Sequence, residues 1–295
     1  MDEVEVEKAV EERRIWLLHH LEMASRTLDV EPVGPVVNTY DMRSAGRRAR
    51  DGGSDLWLRV VLEDPDYQPA CRWEGNVEAN AIHGVPKPRL LRWVDWQDDG
   101  PYGQGCRLRG EVMTFAHGTP VASDCVLRAD PRLPNSWWDS LSRALMTLAA
   151  HPVPKGDPVE TVQYTIDSTQ RHFGVVLDRT VFSGVIWTTA HADLHWGNLV
   201  GPELCILDWE SWRRAPAGYD AATLYCNSLL HPSTAQRVYD IFRSMLDTHS
   251  GQVAMLFAVC RYLWTAKESG EYRALGERLH ALGTTVIDSL DPGRR

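Results

Sequence analysis

HADLHWGNLVGPELCILDWE, residues 191–210, is the stretch from which the fold can be read. It gathers two histidines, two aspartates and an asparagine between apolar runs. GVIWTTA leads in as a strand, NLV leaves the loop, GPE turns, and LCIL returns as a strand to DWE. So short a turn forces NLV and LCIL to be antiparallel neighbours. Asn198, at the start of one strand, and Asp208, at the end of the other, therefore share one end of the hairpin. Asp193, five residues before Asn198, lies on the loop at that same end.

Three readings compete for this set: capture of a transition metal, phosphoryl transfer, or a polar turn without chemistry. His191, Asp193 and His195 alternate, and on a strand they would share a face and could chelate zinc or iron for metal-dependent hydrolysis. Leu194, Trp196 and Gly197 argue instead for a loop, and no distant His-x-x-His or Glu-x-x-His supplies further ligands. His195 then reads as a packed or solvated neighbour of the site. Asp193, Asn198 and Asp208 together offer hard oxygen donors and a separate carboxylate, the make-up of a magnesium site for phosphoryl transfer.

H-x-D with an Asn five residues after the Asp, followed by a strand ending in ILDWE, resembles the aminoglycoside phosphotransferase and choline kinase family, relatives of the protein kinases. The resemblance implies an α+β, protein-kinase-like two-lobed fold, with a small β-rich N-lobe and a larger, mostly helical C-lobe. It implies Asp193 as catalytic base towards a substrate hydroxyl, Asn198 and Asp208 as Mg²⁺ ligands, and His191 as support of the loop. In RRAPAGYDAATL it implies that Asp220 opens a helix and braces the loop backbone. The reaction implied is transfer of the γ-phosphoryl group of ATP or GTP to a small molecule bearing a hydroxyl.

Such an enzyme also needs a cation for the nucleotide phosphates. Arg59, the single charge in the strand-like DLWLRVVL (residues 55–62), and Glu74, on a short helix expected from about Arg72 to Ile82, stand in the corresponding places. Glu78, one turn on, is the alternative partner. The family more often has Lys at the strand position, so Arg59 is a departure. VPKPRLL resembles the family's entry into the next strand. EVMTFAHGTP resembles the strand and hinge that meet adenine, implying that backbone groups around Met113, Thr114 and Phe115 bind the base and that Gly118 begins the passage to the second lobe. RSAGRRARDGGSD lacks a G-x-G-x-x-G, so the contacts of any phosphate-covering hairpin stay unassigned. That gap and Arg59 favour a non-catalytic nucleotide-binding relative; the complete Asp193, Asn198 and Asp208 set opposes it. The resemblance spans roughly residues 40–230.

The remainder of the chain fits this frame. Residues 3–28 predict a helix, interrupted by Arg14 in its apolar stripe, and residues 30–55 read as a turn-rich segment feeding a strand. NSWWDSLSRALMTLAAHP predicts a core helix with an Asn or Ser cap. YDAATLYCNSLL and VAMLFAVCRYLWTAKE read as further helices, and the best boundary separates residues 1–116 from 117–295. The formal charge of −9 disfavours a phosphate backbone or an anionic membrane as partner and suits a cationic small molecule. Twelve tryptophans, among them Trp137, Trp138, Trp196, Trp209 and Trp212, need either core packing or an aromatic ligand. The six cysteines form no C-x-x-C pair and read as reduced thiols, which with no signal-like or membrane-spanning stretch points to the cytoplasm. The acceptor expected is an antibiotic or similar natural product, with choline-, homoserine- or sugar-like metabolites as the alternative. The basic ending DPGRR offers no acidic tail to bind an amine.

Overall fold

The structure, a computed structural model, describes residues 3–39, 42–63, 73–100, 105–152, 158–268 and 274–291. Arg72, Cys71 and most of the DPGRR ending fall outside these ranges. The chain divides into two compact units, Met1–Asn80 with Lys87–His117, and Ala81–Pro86 with Gly118–Arg295. The short segment ending at Pro86 belongs to the second unit, where the Pro86 carbonyl accepts from the amide of Ile206 at 2.9 Å.

The first unit is an antiparallel sheet of strands β1 (Glu31–Asn38), β2 (Ser44–Asp51), β3 (Ser54–Glu63), β4 (Leu90–Asp98) and β5 (Cys106–Thr114), in the order β1-β2-β3-β5-β4. Helix α1 (Glu3–Thr27) covers one face. Successive side chains of a strand point to opposite faces, and β5 shows the division. Leu108 and Val112 enter a core with Leu17, Leu21, Ala24 and Leu28. Arg109 and Glu111, one position out of phase, carry charge on the other face and are themselves buried. The expected turn-rich segment before β3 is thus two paired strands, because Ala45 and Ala49 alternate inwards while the arginines of β2 stay at the margin.

The short helix expected over residues 72–82 is a single turn and a fraction, α2 (Gly75–Ala79). It ends early because the Asn80 side chain is spent on β4, donating to Leu90 O at 2.7 Å and accepting from Leu90 N at 3.1 Å.

In the second unit, helices α3 (Asn135–Ala150), α4 (Pro158–Phe173), α5 (Tyr219–Ser228), α6 (Pro232–Leu246), α7 (His249–Glu268) and α8 (Gly276–Leu290) surround two small sheets. Strands β6 (Thr119–Pro120), β8 (Leu199–Gly201) and β9 (Cys205–Ile206) form one; β7 (Trp187–Ala190) and β10 (Arg213–Pro216) form the other. Gly118, at φ +121°, is required where it stands: a Cβ there would meet the Gly201 carbonyl oxygen at 2.3 Å. No side chain caps α3; its N-cap is Pro134, and Asn135, one residue inside, accepts from Arg237 instead.

Of the two readings of the tryptophans, core packing is the one seen. Trp137, Trp138, Trp196, Trp209 and Trp212 are all buried, with Trp137 stacked on Trp196 and Trp138 edge-on to both. The five described cysteines are free thiols. No helix among the described residues is long and apolar enough to cross a membrane.

The contact between α1 and the sheet is close at Gly110, where a Cβ would lie 2.9 Å from the Ala24 Cβ and 3.2 Å from the Trp96 ring. Gly110→Ala is expected to destabilise the protein by about 1–3 kcal/mol through overpacking, read as a lower urea midpoint. An unchanged midpoint would show that α1 is not pressed on this face.

Candidate functional site

The loop of residues 191–198 is built by its own backbone bonds before any ligand is considered. Strands β8 and β9 pair Leu199 with Ile206 and Val200 with Cys205, and beyond the ladder Leu207 N donates to Asn198 O at 2.8 Å. That last bond sets Asn198 directly across from Leu207, with Asp208 the next residue along. Asp208 sits at φ +58°, turning out of the strand, and is exposed. Asn198 closes a short 3₁₀ turn, Trp196–Asn198. Its amide nitrogen donates to Asp193 O at 3.0 Å, so its side-chain oxygen is the atom left for a ligand.

The start of the loop is held from below. Asp220, on the first turn of α5 and 6 % exposed, accepts from His191 N at 2.8 Å and from Ala192 N at 2.9 Å. Burial pushes the Asp220 carboxyl up, against the opposing pull of His191 and the two amides. These bonds hold Ala192 at φ +65°, a left-handed conformation that costs a residue with a Cβ about 1 kcal/mol or more.

His191 joins the two ends of the constellation. Its Nε2 lies 2.8 Å from Leu207 O, so Nε2 carries the proton and donates, and the ring meets Trp209 edge-on at 4.8 Å. The side chain is fully buried, and burial holds its pKa below the usual histidine range. This arrangement overturns the transition-metal reading of His191, Asp193 and His195. Nε2 is committed to a carbonyl and sealed from solvent. Among the described residues no cluster of three or more His, Cys, Asp or Glu is disposed to hold a metal ion.

Asp193 is partly exposed, and Arg261 of α7 reaches its Oδ1 from Nη2 at 3.0 Å. Arg261 Nη1 also donates to Ala192 O at 2.5 Å and to Tyr219 Oη at 3.2 Å. His195 Nε2 stands 3.8 Å from Asp193 Oδ2. Burial works to raise the Asp193 pKa, but the positive charge of Arg261, assisted by His195 and His191, outweighs it and holds the carboxyl below the usual range. An ionised carboxylate with Oδ1 bound by Arg261 and no hydrogen bond on Oδ2 among the described residues is suited to accept a hydroxyl proton.

Arg261 was not among the residues expected at the site. Its only sequence signal is a lone cation in the otherwise apolar VAMLFAVCRYLW of a core helix.

Asn198 and Asp208 fit a small hard cation rather than a closed protein cage. Two oxygen donors leave the other positions for water and phosphate oxygens, as Mg²⁺ prefers.

The first unit presents its own charged set, with a different pairing from the one expected. Arg59 lies directly across from Glu111 in the β3–β5 ladder, and its Nη2 is 2.9 Å from Glu111 Oε2. Asn76 of α2 adds a bond to the same carboxylate at 3.2 Å. Glu74, expected to pair with Arg59, is bound by Arg109 at 2.9 Å, and Arg109 also pairs with Asp95 at 2.6 Å. A residue opposite in a ladder is nearer than one on a neighbouring turn, so the cross-strand carboxylate takes Arg59. Met113 and Thr114 end β5, and Phe115 follows. The amides of Thr114 and Phe115 are engaged, donating to Arg89 O at 3.0 Å and Asp55 O at 3.4 Å.

Asp220→Ala would leave two buried amides without an acceptor. The expected loss is about 2–6 kcal/mol at about 1–3 per amide, read by urea denaturation. A loss under about 0.5 kcal/mol would mean the loop is held by other contacts.

No protein-family model matches the chain, and no curated protein matches it in sequence. Solved structures do match. Aminoglycoside phosphotransferase APH(4)-Ia aligns with a TM-score of 0.58 at 13% identity, covering 91% of this chain and 97% of its own. A thermostable variant of that enzyme, in ternary complex with AMP-PNP and hygromycin B, aligns at 0.58 and 13%, covering 86% and 93%. The microcompartment-associated aminopropanol kinase aligns at 0.52 and 14%, covering 92% and 96%. At these identities the likeness is one of architecture, and the chain has the α+β, two-lobed, protein-kinase-like fold of the aminoglycoside phosphotransferases.

Proposed function

We propose that the chain is a small-molecule O-phosphotransferase of the aminoglycoside phosphotransferase and choline kinase type, using ATP or GTP with Mg²⁺. The observation that carries this is the bond from Leu207 N to Asn198 O, which brings Asn198 and Asp208 to one end of a hairpin whose loop carries Asp193.

Asn198 Oδ1 and the Asp208 carboxylate would hold the metal. Bound there, Mg²⁺ offsets the charge of the nucleotide's terminal phosphates. Asp193 Oδ2 takes the proton of the acceptor hydroxyl as that oxygen bonds to the γ-phosphorus. The bond from phosphorus to the β,γ-bridging oxygen breaks, and the nucleoside diphosphate leaves. Arg261 keeps Asp193 ionised and aimed, while Asp220 and His191 hold the loop still. Such fixed placement is where most of the rate enhancement of phosphoryl transfer arises.

In the first unit Arg59, held by Glu111, is assigned to the nucleotide phosphates. Glu74 serves this region indirectly, through Arg109. The base is assigned to the backbone around Met113, Thr114 and Phe115. Since two of those amides are already engaged, a carbonyl or a later amide would make the contact.

The acceptor is a hydroxylated natural product, with antibiotic inactivation as the physiological role. A neighbour of the same fold binds hygromycin B, which supports an acceptor of this size. Use of a nucleotide triphosphate and the free thiols favour a cytoplasmic location.

Asp208→Ala is expected to lower nucleotide-dependent phosphorylation of any accepted compound by about 10³-fold, a loss of several kcal/mol of charge stabilisation. Asp193→Asn should cost about 10²–10⁴-fold with nucleotide binding retained. Transfer of labelled γ-phosphate to a library of hydroxylated compounds measures both. Turnover surviving Asp208→Ala largely unchanged would refute the metal assignment.

A further inference from the structure

Arg213 stands at the start of β10, directly across from Ala190, the last residue of β7 before the loop that carries Asp193. It is half-buried, yet among the described residues its side chain makes no hydrogen bond and no ion pair. Its charge is nonetheless felt locally: Asp193, Tyr219, Arg261 and Glu160 all lie within electrostatic reach. Burial disfavours the charged form of Arg213, and Arg261 adds to that effect. A guanidinium kept in such a place without a partner is costly unless an anion completes it.

The local charge does not supply that anion. Asp193 is engaged at Oδ1 by Arg261, which offsets one charge with one charge. Asp220 is turned away beneath the loop, spent on two backbone amides. Glu160, on α4, is exposed to solvent, where its charge is screened. Arg213 is thus left without a salt-bridge partner among the described residues, although the chain as a whole carries −9. Tyr219, which lies within electrostatic reach of Arg213, stacks on Phe257 at 4.8 Å, and Tyr164 meets Phe257 edge-on at 5.8 Å.

We propose that Arg213 recognises the acceptor, and that the acceptor carries an anionic oxygen group, such as a carboxylate, close to the hydroxyl that is phosphorylated. This rests on the phosphotransferase reading of Asp193. It reverses the expectation of a cationic acceptor, since a polycation would place like charge against Arg213. The same guanidinium chemistry would also accept a nucleotide phosphate, so the test separates the two sources.

Matched series of hydroxy acids, their amides and the amino alcohols of equal chain length are offered to the full-length protein. Binding is measured by calorimetry, with and without AMP-PNP and Mg²⁺, and phosphoryl transfer is measured in parallel. The hydroxy acids are expected to bind about tenfold or more tightly than their amides. Arg213→Gln should erase that preference while leaving AMP-PNP affinity within about twofold, and Arg213→Lys should restore part of it. Thermal melting of each variant controls for folding.

Loss of AMP-PNP affinity in Arg213→Gln with acceptor preference unchanged would assign the residue to the nucleotide and overturn the proposal. So would equal binding of acids and amides by the wild-type chain. Anion binding dependent on Arg213 without any transfer would instead refute the phosphotransferase reading and leave the anion site standing. Transfer to neutral or amine acceptors that ignores Arg213 would do the reverse.

Discussion

The carboxylate of Asp220 is the constraint beneath the site. It accepts the amides of His191 and Ala192, and so determines where the chain leaves β7 and begins the loop. Remove it and two buried donors lose their acceptor, while Ala192 keeps only the bond from Arg261 to its carbonyl to hold it in the left-handed region. With it in place, His191 can reach Leu207 O, and Asn198 can reach Asp193 O. Asn198 is thereby fixed by neutral bonds, whereas Asp193 is aimed by the charge of Arg261. Groups held in place before a ligand arrives are what preorganised electrostatic catalysis requires.

Charge is sorted by position rather than by total. In the first unit the alternation of β5 puts Leu108, Gly110 and Val112 against α1, and Arg109 and Glu111 on the other face, where each finds a counter-charge. In the second unit Asp193 is paired with Arg261, and the Arg213 side chain makes no ion pair among the described residues. The overall acidity of the chain says little about either place, because exposed charges more than a Debye length away are screened. The tryptophans teach the same lesson for aromatic surface. Trp137, Trp138 and Trp196 pack on one another beneath the hairpin, so this part of the aromatic surface is core.

What the sequence made legible was local. The hairpin could be read because its turn is short and its polar residues sit at its ends, and the bond from Leu207 to Asn198 repeats that geometry. The helices α3, α5 and α7 could be read from apolar periodicity. Contacts between distant segments could not be read. Arg59 was given a partner on the next helix, whereas the β3–β5 register puts Glu111 opposite it, and that register is invisible in either strand alone. Arg261 approaches Asp193 across 68 positions of sequence, and its place in a core helix looked like packing. The strands β1 and β2 were hidden because glycine, proline and arginine there read as turn and solvated charge.

The central claim is that Asn198 and Asp208 hold a divalent cation only in company with nucleotide phosphates. Mn²⁺ in place of Mg²⁺ tests this directly by electron paramagnetic resonance on the full-length protein with AMP-PNP labelled with ¹⁷O at its phosphates. The account expects weak Mn²⁺ binding alone, strong binding once AMP-PNP is added, line broadening from the labelled oxygens, and loss of all three in Asn198→Ala. Tight nucleotide-independent binding with nitrogen hyperfine coupling from imidazole would contradict it.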